Sequence, residues 1–163
     1  MTHPGTPDLQ EGVMPAREQD ISEILQLIQP YVERSILLAK TSEQIRKELS
    51  LSYVYKTNGK IVGTANLVQY HQFLYEVRGL AVEQESQKNG FGEKLISSLV
   101  QKIKEINPKN STRIFALTYV PLFFIKLGWE IVPKEMFPKK IFDDCSICRK
   151  KDDCSEIAVT IEV

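Results

Sequence analysis

The stretch EVRGLAVEQESQKNGFGEKL, residues 76–95, carries three local patterns in succession. Residues 76–82 are short and mostly apolar, which predicts a strand, and Gly79 indicates a bulge or a close backbone approach. Residues 87–92 are polar and rich in glycine. From residue 93 onward the apolar side chains recur with helical spacing. The stretch therefore predicts a strand, a glycine turn and a helix in that order.

The glycine turn has the composition of an anion-binding site. The first backbone N–H groups of a helix lack partners within the helix, and that end carries about half a positive charge. Gly90 and Gly92 allow close approach of an anion, while Gln87 and Lys88 add donors. The P-loop pattern is absent, and Leu95 stands where the dinucleotide pattern G-x-G-x-x-G requires glycine. We interpret the turn as a phosphate site, with an ordinary turn before an amphipathic helix as the alternative.

Length and charge bound the class of protein. The chain has 163 residues, of which 42% are hydrophobic, and it carries 21 basic and 21 acidic side chains. This size fits one domain, and the balanced charge gives no general attraction to nucleic acid or anionic lipid. No apolar run approaches the length of about 18 residues that indicates a membrane span, and the start lacks a signal-peptide pattern. We expect a cytoplasmic protein, with residues 1–11 as a flexible leader and residues 12–163 as a single domain.

The remaining patterns predict an α/β fold of the α+β type. Asn58 and Gly59 indicate a hairpin between two strands. Asp20 is a candidate N-cap for the first helix, whose end is hard to place because of Pro30, and Thr41 is part of the capping signal of the second. Strands are predicted at residues 13–16, 51–56, 60–69, 76–82, 112–117, 128–132 and 156–163, and helices at 21–32, 42–49, 93–106 and 121–127.

In this order of elements and in two motifs, the chain resembles the GNAT superfamily of acetyl-CoA-dependent N-acetyltransferases. The pyrophosphate motif [QR]-x-x-G-x-[GA] is present as Gln87, Gly90 and Gly92, and residues 123–129, FFIKLGW, are similar to the family's F-Y-x-K-x-G-F segment. The resemblance covers most of residues 13–132. It implies a mixed, mostly antiparallel sheet that is flanked by helices and splayed at the acetyl-CoA site.

The resemblance also implies acetyl-CoA as cosubstrate and a set of residues that contact it. The glycine turn would hold the pyrophosphate, and the end of the preceding strand would hold the pantetheine arm and the thioester. The implied contacts are Leu80, Ala81, Val82, Gln87, Lys88, Asn89, Gly90, Phe91, Gly92, Glu93 and Phe124.

Within the superfamily, the chain is similar to the short N-acetylglutamate synthase type. The similarity lies in EVRGLAV at residues 76–82, FALT at residues 115–118, KIFDDCSIC at residues 140–148 and the final strand. Those enzymes acetylate the α-amino group of glutamate in arginine biosynthesis. The chain departs from them at Lys40, where arginine is usual, and at Gln84, where proline is usual.

Acetyl transfer requires a neutral amine, and even a peptide α-amino group has a pKa of about 8, so a base has to remove a proton. The resemblance gives this role to Glu76 and an oxyanion-binding N–H to Leu80. Arg78 lies two residues from Glu76 and therefore on the same face of the strand, where it can pair with a substrate carboxylate. Lys40 and Thr118 complete the implied acceptor site. The alternative for Glu76 and Arg78 is a surface ion pair.

The coenzyme A thiolate can leave without protonation by a general acid, because thiols have a pKa near 8.5. Many GNAT enzymes have a tyrosine where this chain has Phe124, so Tyr119 is the nearest candidate for a general acid. A packing role for Tyr119, with no positioned acid, is the alternative. The three cysteines all lie in the tail, which favours direct attack by the amine over an acetyl-cysteine intermediate.

Cys145, Cys148 and Cys154 have the spacing C-x2-C-x5-C. Three thiolates need a fourth ligand to close a structural zinc site, and no histidine follows them, so zinc, reduced thiols and a labile redox pair all stay open. The sequence also leaves open a homodimer, a GNAT enzyme for another small amine or a protein N-terminus, and a non-catalytic acyl-CoA-binding module.

Overall fold

A computed structural model describes residues 10–137 and 156–163 of the chain. The strands in this part are β1 Gly12–Pro15, β2 Ser52–Thr57, β3 Lys60–His71, β4 Leu74–Val82, β5 Arg113–Thr118, β6 Glu130–Val132 and β7 Ile157–Glu162. The helices are α1 Ile21–Glu33, α2 Ser42–Glu48, α3 Phe91–Ile106 and α4 Pro121–Lys126. The predicted order of elements is confirmed, and most boundaries differ by only a few residues.

The strands form one sheet in the order β1-β2-β3-β4-β5-β7-β6. Neighbouring strands are antiparallel except β4 and β5, which are parallel. The pairing of β4 with β5 ends at Glu76 and Phe115, although both strands continue beyond it. The sheet is therefore mixed, mostly antiparallel and splayed at this point, as the family resemblance implies.

Helices cover both faces of the sheet. Helix α3 buries Leu95, Ile96, Leu99 and Ile103 in the larger core, which also contains Tyr75 and Val77 of β4. Helices α1 and α2 pack on a second core that contains Ile24 and Ile45. Side chains alternate between the two faces of a strand. Tyr75 and Val77 face α3, so Glu76 and Arg78 face the side of the sheet that α1 and α2 cover.

One of two local predictions near α1 is confirmed, and the other needs correction. The helix predicted at residues 21–32 continues through Pro30 to Glu33, since its apolar face is buried against the sheet and outweighs the one lost backbone hydrogen bond. Asp20 precedes α1, but its side chain does not cap it. Its carboxylate accepts a hydrogen bond from the Arg17 backbone N–H at 2.8 Å and lies 3.1 Å from Lys56 Nζ in β2. This buried ion pair could not be seen in the local pattern.

The capping signal at Thr41 is confirmed. The Thr41 hydroxyl accepts from the Gln44 backbone N–H, and the Gln44 side chain accepts from the Thr41 backbone N–H. Among the described residues, no helix is long and apolar enough to cross a membrane.

Candidate active site

One cavity of about 780 Å³ lies where β4 and β5 separate, between the start of α3 and the pair α1 and α2. It is lined by all the predicted catalytic and acceptor residues and by every predicted cofactor residue except Asn89. The Asn89 side chain instead donates to the Ser86 backbone carbonyl at 2.9 Å and so braces the turn. The predicted metal ligands Cys145, Cys148 and Cys154 lie outside the described residues.

One end of the cavity is the turn before α3, and we call it the cofactor end after the role predicted from the sequence. Gly90 is the N-cap residue of this helix and has φ +78°, a left-handed conformation that side chains disfavour. Lys88 has φ +70° in the same turn. The first N–H groups of α3 thus begin at a tight turn beside the cavity, where they can bind an anion.

Tyr31 of α1 connects this turn to β4, a role that sequence reasoning missed. Its hydroxyl donates to the Val82 backbone carbonyl at 2.5 Å and accepts from Gln87 Nε2 at 2.8 Å. Gln87 Nε2 also lies 3.2 Å from the Val82 carbonyl oxygen. The glutamine of the pyrophosphate motif is therefore oriented by a side chain that lies 56 positions away in the chain.

The part of the cavity predicted to bind the acceptor, called the acceptor end below, includes the side chains of Glu76 and Arg78. Arg78 Nε donates to Glu76 Oε1 at 2.6 Å, and the Glu76 side chain is only 6% exposed. Tyr70 of β3, which sequence reasoning also missed, donates to the same oxygen at 2.7 Å and accepts from Arg78 Nη2 at 2.8 Å. The ion pair considered from the sequence is present, but it lines the cavity and is largely buried.

A second polar cluster lies beside the first and consists of Lys40, Glu48 and Asn66. Lys40 Nζ is 2.9 Å from Glu48 Oε2 and 2.9 Å from Asn66 Oδ1. Asn66 Nδ2 donates to Glu48 Oε2 at 3.2 Å. The cluster packs against the irregularity in the β3–β4 pairing near Gly79, which has φ +63°. The predicted bulge is therefore present.

A further part of the cavity wall comes from the end of β5 and from α4. The Thr118 hydroxyl accepts from the Val120 backbone N–H at 2.9 Å, and the Tyr119 hydroxyl is buried. Phe124 is 2% exposed and packs edge-on against Phe123 and Trp129. Phe124 lines the cavity and also belongs to the core.

Some residues of the site were not predicted, because the sequence around them gives little indication of a functional role. Asn66 is a polar residue inside the otherwise apolar run of β3, and it is 5% exposed. Such a position indicates a hydrogen-bonding role, since buried polar groups need partners. Glu48 and Tyr31 lie on surface helices, where nothing in the local pattern separates them from solvent-facing residues.

Comparison with known proteins agrees with this geometry. Residues 18–122 match the family model described as Acetyltransferase (GNAT) family. An uncharacterized N-acetyltransferase of Chlorobaculum tepidum is 31% identical over 144 residues, which cover 88% of this chain and 91% of that protein. The amino-acid acetyltransferase of Neisseria meningitidis serogroup A is 28% identical over 130 residues, 78% of this chain but only 29% of that protein.

Among solved structures, N-acetylglutamate synthase from Neisseria gonorrhoeae, complexed with coenzyme A and N-acetyl-glutamate, superposes with a TM-score of 0.78 at 24% identity. The match covers 92% of this chain and 34% of that one, so this chain spans about a third of that enzyme. At this identity the match shows the fold alone. The family match covers most of the chain, and the chain is therefore an acyltransferase that belongs to the GNAT acetyltransferase family.

Proposed function

We propose that this protein transfers the acetyl group of acetyl-CoA to the α-amine of an amino acid, with L-glutamate as the favoured acceptor. One observation carries the proposal: a single cavity joins the start of α3 to the paired side chains of Glu76 and Arg78. The relatives named amino-acid acetyltransferase support this acceptor class. Such an activity would belong to arginine biosynthesis.

The residues at the cofactor end fit acetyl-CoA. Its pyrophosphate would lie against the first N–H groups of α3, with Gln87 and Lys88 beside it. Leu80, Ala81 and Val82 line the adjoining wall, which is suited to the extended pantetheine arm. The cavity volume of about 780 Å³ lies within the range of small-molecule sites.

The residues at the acceptor end fit an amino acid. Glu76 is the proposed base because its carboxylate is buried in the cavity wall, four residues before Leu80 on the same strand. Arg78 and Lys40 bring two cationic groups to the same end, which favours an acceptor with a carboxylate. Thr118 also lines the cavity.

In this mechanism acetyl-CoA supplies an acetyl thioester, and the chain's residues prepare the attack on it. Glu76 takes the proton from the acceptor ammonium group, so that the amine attacks directly. The backbone N–H of Leu80 is the proposed donor to the thioester oxygen. Tyr119 lines the cavity and is the candidate acid for the leaving thiolate, which can also leave without one.

The experiment measures thiol release from acetyl-CoA with L-glutamate, L-glutamine, L-aspartate and spermidine as separate acceptors. We expect release with amino acids, fastest with L-glutamate, and none above background with spermidine. Release only with spermidine or a peptide N-terminus would move the protein to another acceptor class. Binding of acetyl-CoA by calorimetry with no turnover of any amine would identify a non-catalytic acyl-CoA-binding module.

A further inference from the structure

We propose that Glu48 determines how strongly the acceptor site prefers an amino acid with a second carboxylate. This inference rests on the proposed function. Glu48 is the last residue of α2, and its side chain reaches the cavity wall beside Lys40. It pairs with the cation that would otherwise attract an acidic acceptor side chain.

The contacts of Glu48 hold Lys40 in place. Lys40 Nζ contacts Glu48 Oε2 and Asn66 Oδ1, both at 2.9 Å, and Asn66 Nδ2 contacts the same Glu48 oxygen at 3.2 Å. The three side chains thus form a closed triangle. The Lys40 side chain is 18% exposed and that of Glu48 is 29% exposed, so water screens this pair less than an exposed pair.

The cluster lies next to the proposed reaction centre. A Cβ atom built on Gly79 would come within 2.9 Å of Asn66 Oδ1 and 3.4 Å of Lys40 Nζ. Gly79 directly precedes Leu80, the proposed donor to the thioester oxygen. A side chain of an acceptor held at this point would therefore meet Lys40, whose ammonium group contacts Glu48.

The charges at the acceptor end balance in pairs. Lys40 pairs with Glu48, and Arg78 pairs with Glu76. L-Glutamine brings one ammonium and one carboxylate group, whereas L-glutamate brings one further negative charge. Glu48 repels that charge and partly neutralises the lysine that attracts it. Glu48 therefore reduces the preference for L-glutamate over L-glutamine, its closest neutral counterpart.

The test compares kcat/KM for L-glutamate with kcat/KM for L-glutamine in the wild type and in Glu48→Gln. Glutamine preserves the length of the side chain and an oxygen that can accept from Lys40. We expect the ratio to rise about tenfold in the variant, because the lysine charge is no longer balanced. Glu43→Gln is the matched control, since Glu43 lies on the same helix, is exposed and does not line the cavity. Its ratio should equal that of the wild type.

Lys40→Gln gives an independent second variant, in which the ratio should fall by about tenfold because the attracting cation is lost. Calorimetric binding of coenzyme A to each variant checks that the fold and the cofactor end are intact. A ratio in Glu48→Gln that stays within about twofold of the wild type, or that falls, overturns this inference alone. If the wild type turns over neither amino acid, the proposed function fails, and the inference fails with it.

Discussion

The two ends of the cavity are built in different ways. The cofactor end is largely backbone, from the end of β4, the turn at Gly90 and the first N–H groups of α3, all within residues 80–93. The acceptor end consists of side chains from several elements. Lys40 precedes α2, Glu48 ends it, Asn66 and Tyr70 lie on β3, and Glu76 and Arg78 lie on β4.

Under the proposed function, this difference separates binding of acetyl-CoA from choice of the acceptor. Backbone groups keep their positions when surface side chains change, so the cofactor end depends on the conformation of one turn. The acceptor end depends on two networks of paired charges, in which one substitution leaves a partner without its counter-charge. We therefore expect variants at the acceptor end to change catalysis and variants at the cofactor end to change the affinity for coenzyme A.

The largest effect is expected for Glu76→Gln at the acceptor end. Loss of the proposed base should lower kcat by about 100-fold or more at neutral pH. The loss should shrink as the pH rises toward the pKa of the acceptor amine, because more of that amine is then already neutral. A pH profile of kcat with L-glutamate measures this, and the affinity for coenzyme A should stay close to that of the wild type. A loss of equal size at every pH would make Glu76 a structural residue.

A smaller effect is expected for Gly90→Ala at the cofactor end. A side chain at φ +78° strains the turn by about 1–2 kcal/mol, and the strain falls on the proposed pyrophosphate site. We expect the Kd for coenzyme A to rise by about tenfold. Gly59→Ala is the matched control, because Gly59 has φ +76° in the β2–β3 hairpin and a Cβ atom there also meets nothing within 4 Å.

Both glycine variants should lose similar stability, but only Gly90→Ala should lose affinity for coenzyme A. Calorimetry and thermal unfolding separate the two effects. Equal affinity losses in the two variants would show that strain anywhere in the fold weakens binding, and that the turn has no special role.

The next effect in size concerns Tyr31, whose side chain supports the cofactor end. Tyr31→Phe removes a hydroxyl that contacts both the Val82 carbonyl and Gln87 Nε2. The Kd for coenzyme A should rise by about three- to tenfold, because Gln87 loses its orienting partner. The KM for the amino acid should change little. A change mainly in the amino-acid KM would place Tyr31 at the acceptor end.

The smallest effect concerns strand β4, which both ends share. Burial raises the pKa of Tyr75, whose ring lies in the α3 core on the face opposite Glu76. The unfolded chain therefore loses this proton first, near pH 10, and the native state loses stability as the pH rises above that value. Tyr75→Phe should show a smaller fall in denaturation midpoint between pH 8 and 10.5. An equal fall in the denaturation midpoint of the wild type and of Tyr75→Phe would show that the raised pKa of Tyr75 does not cause the loss of stability.

The local structure of the cofactor end could be predicted from sequence because its determinants are local. A strand, a glycine turn and an amphipathic helix follow one another in residues 76–106, and each has its own short-range signal. The splay of the sheet followed from the family resemblance and is confirmed by the short pairing of β4 with β5.

The acceptor end was predicted only in part because its partners are far apart in sequence. Lys40 contacts Asn66 from 26 positions away, and no local pattern specifies that contact. The same holds for Asp20, where an ion pair with Lys56 replaced the expected cap of α1. Tertiary contacts of this kind override local preferences, as does the burial of α1 that carries the helix through Pro30.

Mass spectrometry of the product that the purified protein forms from acetyl-CoA and L-glutamate tests the proposed acetyl transfer most directly. We expect N-acetyl-L-glutamate, with one coenzyme A thiol released for each acetyl group transferred. Two results would contradict the proposed function, and in both L-glutamate stays unmodified. In the first, the protein acetylates spermidine or a peptide N-terminus instead; in the second, it transfers no acetyl group at all.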